Sequence, residues 1–531
     1  MDNQITVAEA LLQLLYKNGI TNIYGVLGDA VFPLFDALGR QRDVNFYAVT
    51  NEVNAAFMAS YQAKLTGKVG VCVATSGPGT ANLINGLADA YFDKAPVLAI
   101  TGQVESSKVG TGSKQDINQQ QLLQAVTSKS QLITSGQSFL DIAAKALVQA
   151  ENKRTVTHLA IPKDVFFHPV GRTGVPLLPD IKSTVGVPDD EIKSALEVLV
   201  AAEKPLIVAG DVTKQDADLL IGIADKLDAG LVLAQQAKGA VPTEQPRLLG
   251  GIGEAFVPEA VAETDCILLV GSASYEKKFL PTNVKIVQLI EDPAAADYKQ
   301  TVKILVGNIA RGLAMLNNQL SFMKHVDWGA RINQGHNKLM ALINEQEKNQ
   351  VSPIQPAHLM AVLGKVLPSD AVVVCDVGGF IHWFDTYFEN KGQEVLGSSH
   401  WRSMGGGLPG ALSACIHFPG RHIVALVGDG GMLMSVNELA TAVKYQLPVT
   451  VVVANDHSYN LEKVKMEKEG LKAFGYDIKV PDFSEAARAF GAMGRKVTQA
   501  EQFPGALREC LATQKPAVVD VHLDPVPLPL I

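Results

Sequence analysis

Short apolar runs alternate with helical patterns along the first third of the chain. Thr6 and Glu9 have the spacing of a capping box, in which each side chain binds a free amide at the start of a helix. Apolar residues then recur at helical spacing until Gly19, which predicts one helix. Four runs predicted to be strands follow, separated by helical stretches: Ile23–Leu27, Val44–Val49, Val69–Thr75 and Val97–Thr101. This alternation predicts a parallel sheet covered by helices on both faces.

Two further segments repeat this alternation and are bounded by stretches that favour loops. Pro169–Pro188 is rich in proline and glycine and is predicted to be a linker, and the polar stretch Glu345–Pro356 marks the next boundary. Between them an α/β unit begins at Pro205–Gly210 and continues to about Leu320. The last unit contains three predicted strands: Ala371–Cys375, Ile423–Val427 and Pro448–Ala454. The sequence therefore predicts an α/β fold of three doubly wound parallel-sheet domains, at residues 1–170, 190–320 and 353–531.

Composition agrees with a large globular protein and excludes several classes. A chain of 531 residues is longer than one hydrophobic core usually supports. Apolar residues make up 47% and charged residues 19%, which is typical of folded proteins. The formal net charge is −8, whereas nucleic-acid-binding proteins are more often basic, so no nucleic-acid partner is expected. No apolar run approaches 18 residues, so no membrane partner is expected either.

The cysteines indicate a reducing compartment. Their number is odd, none forms a CxxC pair, and they are far apart: Cys72, Cys266, Cys375, Cys415 and Cys510. This usage predicts reduced, buried thiols in a cytoplasmic protein. The first fifteen residues contain neither a basic segment nor a small-residue cleavage site, so no signal peptide is expected.

The strongest local signal is an apolar strand that ends in the glycine-rich run Gly428–Gly431. A helix with a predicted capping box at Ser435 and Glu438 follows, and the next predicted strand ends just before Asp456. The helical crossover makes the two strands parallel and adjacent, about 4.8 Å apart. Asp429 and Asp456 therefore lie at the carboxyl ends of neighbouring strands, the edge of an open α/β sheet where ligands bind.

Two carboxylates at such an edge suit a magnesium ion and a diphosphate. The carboxylates would ligate the metal, while glycine amides and the following helix N-terminus would bind phosphate oxygens. The alternative is a glycine-rich turn in which Asp429 only caps a helix, but the second acid favours the metal site. Other nucleotide and nucleophile motifs are absent, since Gly67-Lys68 lacks the spacing of a P-loop and no GxSxG elbow occurs.

These motifs resemble the signature of thiamine-diphosphate enzymes, in which the position of Asp456 is more often Asn. In the first domain Glu52, between a predicted strand and the predicted helix Val53–Lys64, resembles the invariant glutamate of that family. Ala74–Asn82 resembles the strand, turn and helix of the family's pyrimidine domain. Two further stretches are similar to the pyruvate oxidase and acetolactate synthase branch: Ala63–Cys72 and Trp401–Pro409.

The resemblance implies a cofactor site built by a pyrimidine-binding first domain and a diphosphate-binding third domain. Glu52 would bind the pyrimidine N1′ atom and promote loss of the thiazolium C2 proton, and Met404 would bend the cofactor so that its amino group reaches C2. The magnesium ligands would be Asp429, Asp456 and the main-chain carbonyl of Ser458. The remaining implied cofactor contacts are Gly378, Gly379, Arg402, Gly428, Gly430, Gly431 and Tyr459.

The residues implied for the second half of the reaction form a mixed pattern. Asp29 and Glu462 resemble the acids of simple 2-oxo-acid decarboxylases and could form a proton relay over the substrate. Those decarboxylases also have a His-His pair, which residues 104–116 lack. Gln115 matches the oxidase and synthase branch, whereas Lys114 stands where that branch has Phe. Lys114 either pairs with a substrate carboxylate or faces water.

By this resemblance we expect an enzyme dependent on thiamine diphosphate and Mg²⁺. It would decarboxylate a 2-oxo acid, pyruvate first, and pass the enamine to an acceptor, as an acetolactate-synthase-like carboligase. The alternatives are an FAD-dependent pyruvate oxidase and a non-catalytic homologue that acts as a regulatory subunit. FAD is uncertain, because Leu249–Asp265 resembles the flavin-binding stretch but is several residues shorter. Since the family site lies between subunits, a homodimer is the expected minimum and a homotetramer the expected assembly.

Overall fold

The computed structural model describes residues 5–171, 174–178, 186–273 and 275–530. Part of the predicted linker Pro169–Pro188 lies outside these residues. The strands are β1 (Asn22–Gly25), β2 (Asn45–Ala48), β3 (Gly70–Ala74), β4 (Val97–Gln103), β5 (Lys129–Leu132), β6 (Val156–Pro162), β7 (Pro205–Ala209), β8 (Gly230–Leu233), β9 (Leu248–Gly251), β10 (Cys266–Val270), β11 (Lys285–Ile290), β12 (Thr301–Val306), β13 (Val372–Cys375), β14 (Glu394–Leu396), β15 (Ile423–Gly428), β16 (Val449–Asn455), β17 (Met493–Val497) and β18 (Ala517–His522).

Helices follow most of the strands, as the alternation predicts. They are α1 (Val7–Lys17), α2 (Phe32–Gly39), α3 (Glu52–Thr66), α4 (Pro78–Asn82), α5 (Ile84–Phe92), α6 (Gln119–Leu122), α7 (Gly136–Lys153), α8 (Asp189–Val200), α9 (Ala217–Leu227), α10 (Ala260–Glu263), α11 (Ile309–Gln319), α12 (Val326–Glu347), α13 (Pro356–Val366), α14 (Phe380–Tyr387), α15 (Gly407–His417), α16 (Asp429–Ser435), α17 (Leu439–Lys444), α18 (Asn460–Lys468), α19 (Phe483–Ala489) and α20 (Phe503–Ala512).

The strands form three six-stranded sheets in which every strand pair is parallel. The first has the order β2-β1-β3-β4-β6-β5 and the third, β14-β13-β15-β16-β18-β17, repeats it. The central sheet has the order β12-β11-β10-β7-β8-β9, the doubly wound arrangement with its switch point between β10 and β7. The predicted α/β fold of three parallel-sheet domains is confirmed.

One predicted capping box is confirmed and the other is wrong. Thr6 Oγ1 accepts the amide of Glu9, and Glu9 Oε2 accepts the amide of Thr6 at 2.9 Å. Ser435 instead ends α16, and its side chain makes no capping bond. Glu438 lies in the following 3₁₀ turn, fully buried, and binds residues of the first domain. A local motif was overridden there by a long-range contact.

The first and third domains share one hydrophobic core, whereas the central domain has its own. Helix α3 contributes Phe57 and Tyr61 to this core, and α15 packs against them. Gly410 of α15 lies against the Tyr61 ring, and a Cβ there would come within 2.6 Å of Tyr61 Cδ1. Glycine at this position therefore allows the two helices to approach closely. The core fixes the start of α3 relative to the third sheet.

Two expectations drawn from composition can be compared with the structure. All five cysteines are buried and free, as predicted for reduced thiols. Among the described residues, no helix combines the length and the apolar character needed to cross a bilayer.

Candidate active site

The two predicted metal ligands lie at the carboxyl ends of adjacent strands. Strands β15 and β16 pair in parallel, with Gly428 opposite Ala454. Asp429 follows β15 directly as the first residue of α16, and Asp456 follows β16 directly. The predicted placement of both acids at one edge of the sheet is confirmed, while their role as ligands stays a prediction.

Burial makes this carboxylate pair reluctant to ionise. It raises the pKa of Asp429 to about 7, with a further contribution from the nearby Asp456, and raises the pKa of Asp456 to about 6. Asp429 Oδ1 accepts the amide of Gly430 at 2.8 Å, while its buried Oδ2 has no hydrogen-bond partner among the described residues. Asp456 Oδ1 accepts the amide of Ser458 at 3.1 Å. A divalent cation would supply the missing partner and offset the charge.

The donor set at this edge fits magnesium better than a softer metal. Nowhere in the described residues do three or more His, Cys, Asp or Glu side chains gather as a metal-binding group. Two carboxylates with a neighbouring main-chain carbonyl and water are oxygen ligands of the kind that Mg²⁺ prefers. The predicted third ligand, the carbonyl of Ser458, lies next to an antiparallel bridge between Ser458 and Asp477.

Glycine is required after β15 because neighbouring side chains pack closely there, more than because the chain turns. The sequence predicts a turn after Gly428, but helix α16 begins immediately, at Asp429. A Cβ at Gly430 would overlap the ring of Tyr459, and one at Gly431 would overlap the carboxylate of Asp376. Two side chains thus pack directly against the first turn of α16, which leaves room only for glycine.

The glycines after β13 lie beside the same helix start. Gly379 immediately precedes α14, and the Phe380 ring of that helix packs against the Cα positions of both Gly378 and Gly428. A Cβ at Gly379 would lie 3.3 Å from the Cβ of Leu461 in α18. The predicted diphosphate contacts Gly378, Gly379 and Gly428 therefore converge on one small region.

Sequence reasoning did not assign a role to Asp376, which organises this region. Its carboxylate is buried, and burial raises its pKa to about 6. Both carboxylate oxygens accept the amide of Gly405 at 3.0 Å, immediately after Met404. Met404 is half-buried, and the preceding Arg402 donates to Gln235 of the central domain at 2.6 Å. The signal available in sequence was only an acid at a strand end.

Glu52 occupies the start of α3 in the first domain. Asn51 caps the helix by accepting the amide of Val53. Glu52 is 9% exposed, and its Oε2 accepts Nδ2 of Asn82 at 3.0 Å. A Cβ at Gly79 would lie 3.1 Å from Glu52 Oε1, so this glycine permits a close approach. Gly79 and Asn82 of the motif Ala74–Asn82 thus lie against the Glu52 carboxylate, and Asn82 orients it.

Glu438 ties this end of α3 to the third domain. It accepts the amide of Thr50 at 3.0 Å, the hydroxyl of Thr50, Nδ2 of Asn54 at 2.7 Å and the hydroxyl of Thr441 at 2.5 Å. Thr50 and Asn54 flank Glu52 in sequence. Glu438 therefore fixes the backbone that carries Glu52, a role that no local pattern indicated.

The structure does not bring the predicted proton relay together within one chain. Asp29 pairs with Lys163 Nζ at 2.6 Å, and Glu462 pairs with Lys465 at 3.3 Å on the exposed face of α18. No contact between Asp29 and Glu462 is present among the described residues. Gln115 is exposed, has a φ of 64°, and its backbone lies against Gly77 of the pyrimidine motif. The roles of Asp29, Gln115 and Glu462 stay predictions, and Lys114 is exposed.

Comparison with known proteins gives the same order of domains. The chain matches the model of the thiamine pyrophosphate enzyme N-terminal TPP binding domain over residues 5–122. It matches the central domain over residues 192–316 and the C-terminal TPP binding domain over residues 376–521.

Full-length relatives agree with these domain matches. The chain is 33% identical to YdaP of Bacillus subtilis, which carries the name thiamine pyrophosphate-containing protein, over 99% of this chain and 93% of the relative. It is 28% identical to a pyruvate oxidase of Lactiplantibacillus plantarum, over 97% of this chain and 88% of the relative. It is 29% identical to an acetolactate synthase large subunit of Parasynechococcus marenigrum, over 98% of this chain and 88% of the relative. The chain therefore belongs to the thiamine pyrophosphate enzyme family.

Proposed function

We propose that this protein binds thiamine diphosphate with Mg²⁺ and decarboxylates a 2-oxo acid, with pyruvate as the first substrate. The two-carbon product is then transferred to an acceptor, in an acetolactate-synthase-like carboligation. The observation that carries this proposal is the buried acid pair, in which Asp429 Oδ2 has no hydrogen-bond partner in the part of the chain that the structure describes. An unpaired carboxylate oxygen at this edge is costly unless a cation binds there.

The residues present fit the cofactor and its metal. Asp429, Asp456 and the carbonyl of Ser458 would hold Mg²⁺, and main-chain amides at the starts of α14 and α16 would receive the diphosphate. When bound, thiamine diphosphate supplies an acidic C2–H and a thiazolium that accepts the electrons released with CO₂. Glu52 would hold a proton at pyrimidine N1′, and its bond from Asn82 would keep it oriented for that task.

FAD fits the central domain poorly, which weakens the oxidase alternative. That alternative is supported by the likeness to a pyruvate oxidase. At the switch point, however, Asp211 Oδ2 accepts both the amide and the hydroxyl of Ser272 at 2.8 Å. The Asp211 carboxylate thus already accepts the Ser272 amide, which a dinucleotide diphosphate would need as a donor. The negative charge of Asp211 would also repel the diphosphate. No flavin step is assigned to the protein.

Asp29, Gln115 and Glu462 are proposed to act on the substrate side of the site. Since Asp29 and Glu462 have no contact within the described chain, a relay between them requires a second subunit. A homodimer is therefore the minimal assembly in this proposal, and a homotetramer would contain two such pairs. Turnover of pyruvate by Glu462→Gln at the wild-type rate with unchanged products would remove Glu462 from the reaction.

The direct experiment begins with the absorption spectrum of the purified protein. The proposal predicts no bound flavin. The protein is then incubated with thiamine diphosphate, Mg²⁺ and pyruvate, and CO₂, acetolactate, acetaldehyde, acetyl phosphate and peroxide are measured. Acetolactate or acetaldehyde without peroxide supports the proposal. A yellow protein that releases flavin on denaturation and forms peroxide would establish the oxidase instead, and cofactor binding without decarboxylation of any 2-oxo acid would indicate a regulatory subunit.

A further inference from the structure

Residues 397–405, called here the Met404 loop, connect β14 to α15 and contact all three domains. Two of these residues have left-handed backbone conformations, Arg402 with a φ of 56° and Gly405 with a φ of 92°. Such a conformation is unfavourable for a residue with a side chain, so surrounding contacts must hold it. Met404 lies between these two residues, and its position depends on the contacts that keep them in this conformation.

The first domain holds the beginning of the loop through Asp93, just after α5. Asp93 Oδ1 accepts the amide of His400 at 2.8 Å and its ring Nδ1 at 3.3 Å, while Oδ2 accepts the amide of Ser399 at 2.9 Å. Lys64 donates to Asp93 Oδ2 at 2.6 Å and to the carbonyl of Gly397 at 3.3 Å. Burial opposes ionisation of Asp93, but the Lys64 ammonium and the loop's donors keep its pKa below the usual range.

The first domain also contacts the middle of the loop. Asn85 of α5 donates to the hydroxyl of Ser403 at 2.8 Å and accepts the indole N–H of Trp401 at 2.7 Å. The Trp401 ring stacks on Phe92, with centroids 5.0 Å apart and planes 13° apart. Residues at both ends of helix α5 therefore contact the loop.

The central domain holds the loop from the other side. His400 Nε2 lies 3.2 Å from the hydroxyl of Ser272, two residues after β10, and Ser272 in turn donates to Asp211. Arg402 donates to Gln235, which follows β8. His400 is thus bonded to the first domain by one ring nitrogen and to the central domain by the other. The switch point of the central sheet is used to anchor a loop of the third domain.

We propose that His400 and Asp93 are positioning residues, which hold the Met404 loop in the shape that the bound cofactor requires and connect the central domain to the cofactor site. The role of Met404 rests on the proposed function, whereas the anchoring of the loop does not. Neither residue needs to touch the substrate. Their effect on the reaction is expected to pass through the backbone of residues 399–405.

The experiment compares His400→Ala, Ser272→Ala and the double variant with the wild type. Hydrogen exchange of the amides of residues 397–405 is measured in the protein without cofactor, and C2 hydrogen–deuterium exchange of thiamine diphosphate in the loaded protein. We expect His400→Ala to speed amide exchange in the loop about tenfold, because a bonded segment becomes locally free. C2 exchange and kcat should fall about 10- to 100-fold with KM for the 2-oxo acid little changed, as for a misplaced group.

The Ser272→Ala variant tests the connection to the central domain. Its loss of C2 exchange should be smaller than that of His400→Ala. The double variant should exchange C2 no more slowly than His400→Ala alone, since both substitutions remove the same contact between His400 and Ser272. Fully additive losses would contradict a path through His400. The matched control is His336→Ala, which removes a half-buried histidine whose Nδ1 binds the carbonyl of Leu248 away from the loop. It should leave both exchange rates unchanged.

Asp93→Asn provides a second, independent variant. It weakens the acceptor of Ser399, His400 and Lys64, and should also speed loop exchange and slow C2 exchange. Unchanged loop exchange in both His400→Ala and Asp93→Asn would overturn the proposal, as would faster loop exchange with unaltered C2 exchange. A wild-type protein that exchanges C2 but decarboxylates no 2-oxo acid would instead contradict the proposed function, and the two exchange measurements would still test the loop.

Discussion

The first and third sheets have the same strand order but carry different chemistry at their carboxyl edges. In the first sheet Glu52, the side chain proposed to act on the cofactor, follows the edge strand β2 and is hydrogen-bonded to Asn82. In the third sheet Asp429 and Asp456 follow the two middle strands β15 and β16, and no described residue donates a hydrogen bond to Asp429 Oδ2. The carboxylate at the first edge thus has a protein partner, whereas the pair at the third edge has the geometry proposed to bind a cation.

This difference shows that strand order alone does not assign a function. Both sheets bring loops and helix starts to a carboxyl edge, as open parallel sheets do. The side chains that stand at each edge decide which ligand that edge can bind. Substitutions at each edge, and at the contact that joins them, test this contrast.

The largest expected effect is at the third sheet. Asp429→Ala should weaken Mg²⁺-dependent binding of thiamine diphosphate at least about 100-fold, because it removes a proposed ligand and not just its support. Calorimetric titration of the cofactor at fixed Mg²⁺ measures this loss. Asp456→Asn keeps an oxygen ligand and should lose much less. The exposed Asp218→Asn in α9 is the control, and an equal loss there would contradict a specific metal site.

At the first sheet the expected effect is on rate and not on binding of the metal. Glu52→Gln should slow C2 hydrogen–deuterium exchange of bound thiamine diphosphate by about 100-fold or more, in the range of general acid–base catalysis. Exchange followed by NMR measures this change. Cofactor affinity should change far less than in Asp429→Ala. Exchange at the wild-type rate would remove Glu52 from the reaction.

The contact between the two regions can be broken at Glu438. Glu438→Ala leaves the donors of Thr50 and the buried donors of Asn54 and Thr441 without this acceptor, and should lower the free energy of unfolding by about 2–4 kcal/mol. Urea denaturation measures this change. Glu467→Ala, on the exposed face of α18, should have little effect. Equal stabilities for the two variants would mean that Glu438 does not join the domains.

The last expected effect is a pH dependence of stability that arises in the first sheet. His158 in β6 is buried between the hydroxyls of Thr101 and Ser130, and burial lowers its pKa to about 3. Because the unfolded chain takes up this proton at a higher pH, stability should fall as the pH drops from about 6.5 toward 3, by up to about 1.4 kcal/mol per pH unit. His158→Gln should remove this part of the pH dependence.

Urea denaturation between pH 7 and pH 5 tests that prediction. The exposed His168→Gln serves as the control and should keep the wild-type slope. A slope that is the same in His158→Gln and in the wild type would show that another group takes up the proton.

Several features of the site could be predicted because they are local. The capping box at Thr6 and Glu9 is closed within four residues, and the adjacency of β15 and β16 follows from a short helical crossover. The roles of Asp376 and Asn82 were not assigned, because their partners are distant in sequence or nonspecific in type. The predicted capping box at Ser435 was wrong, because Glu438 gains more bonds from Thr50 and Asn54 than a helix start offers.

The sequence by itself determined the three parallel sheets and the placement of Asp429 and Asp456 at one edge, since strand alternation and crossover length leave little freedom. Only the tertiary structure decided which glycines are required by packing, how Glu438 fixes the start of α3, and how His400 joins the Met404 loop to the other domains. These contacts link residues up to 388 positions apart. No local pattern encodes such pairs, because burial and hydrogen bonding select them only after the domains have packed.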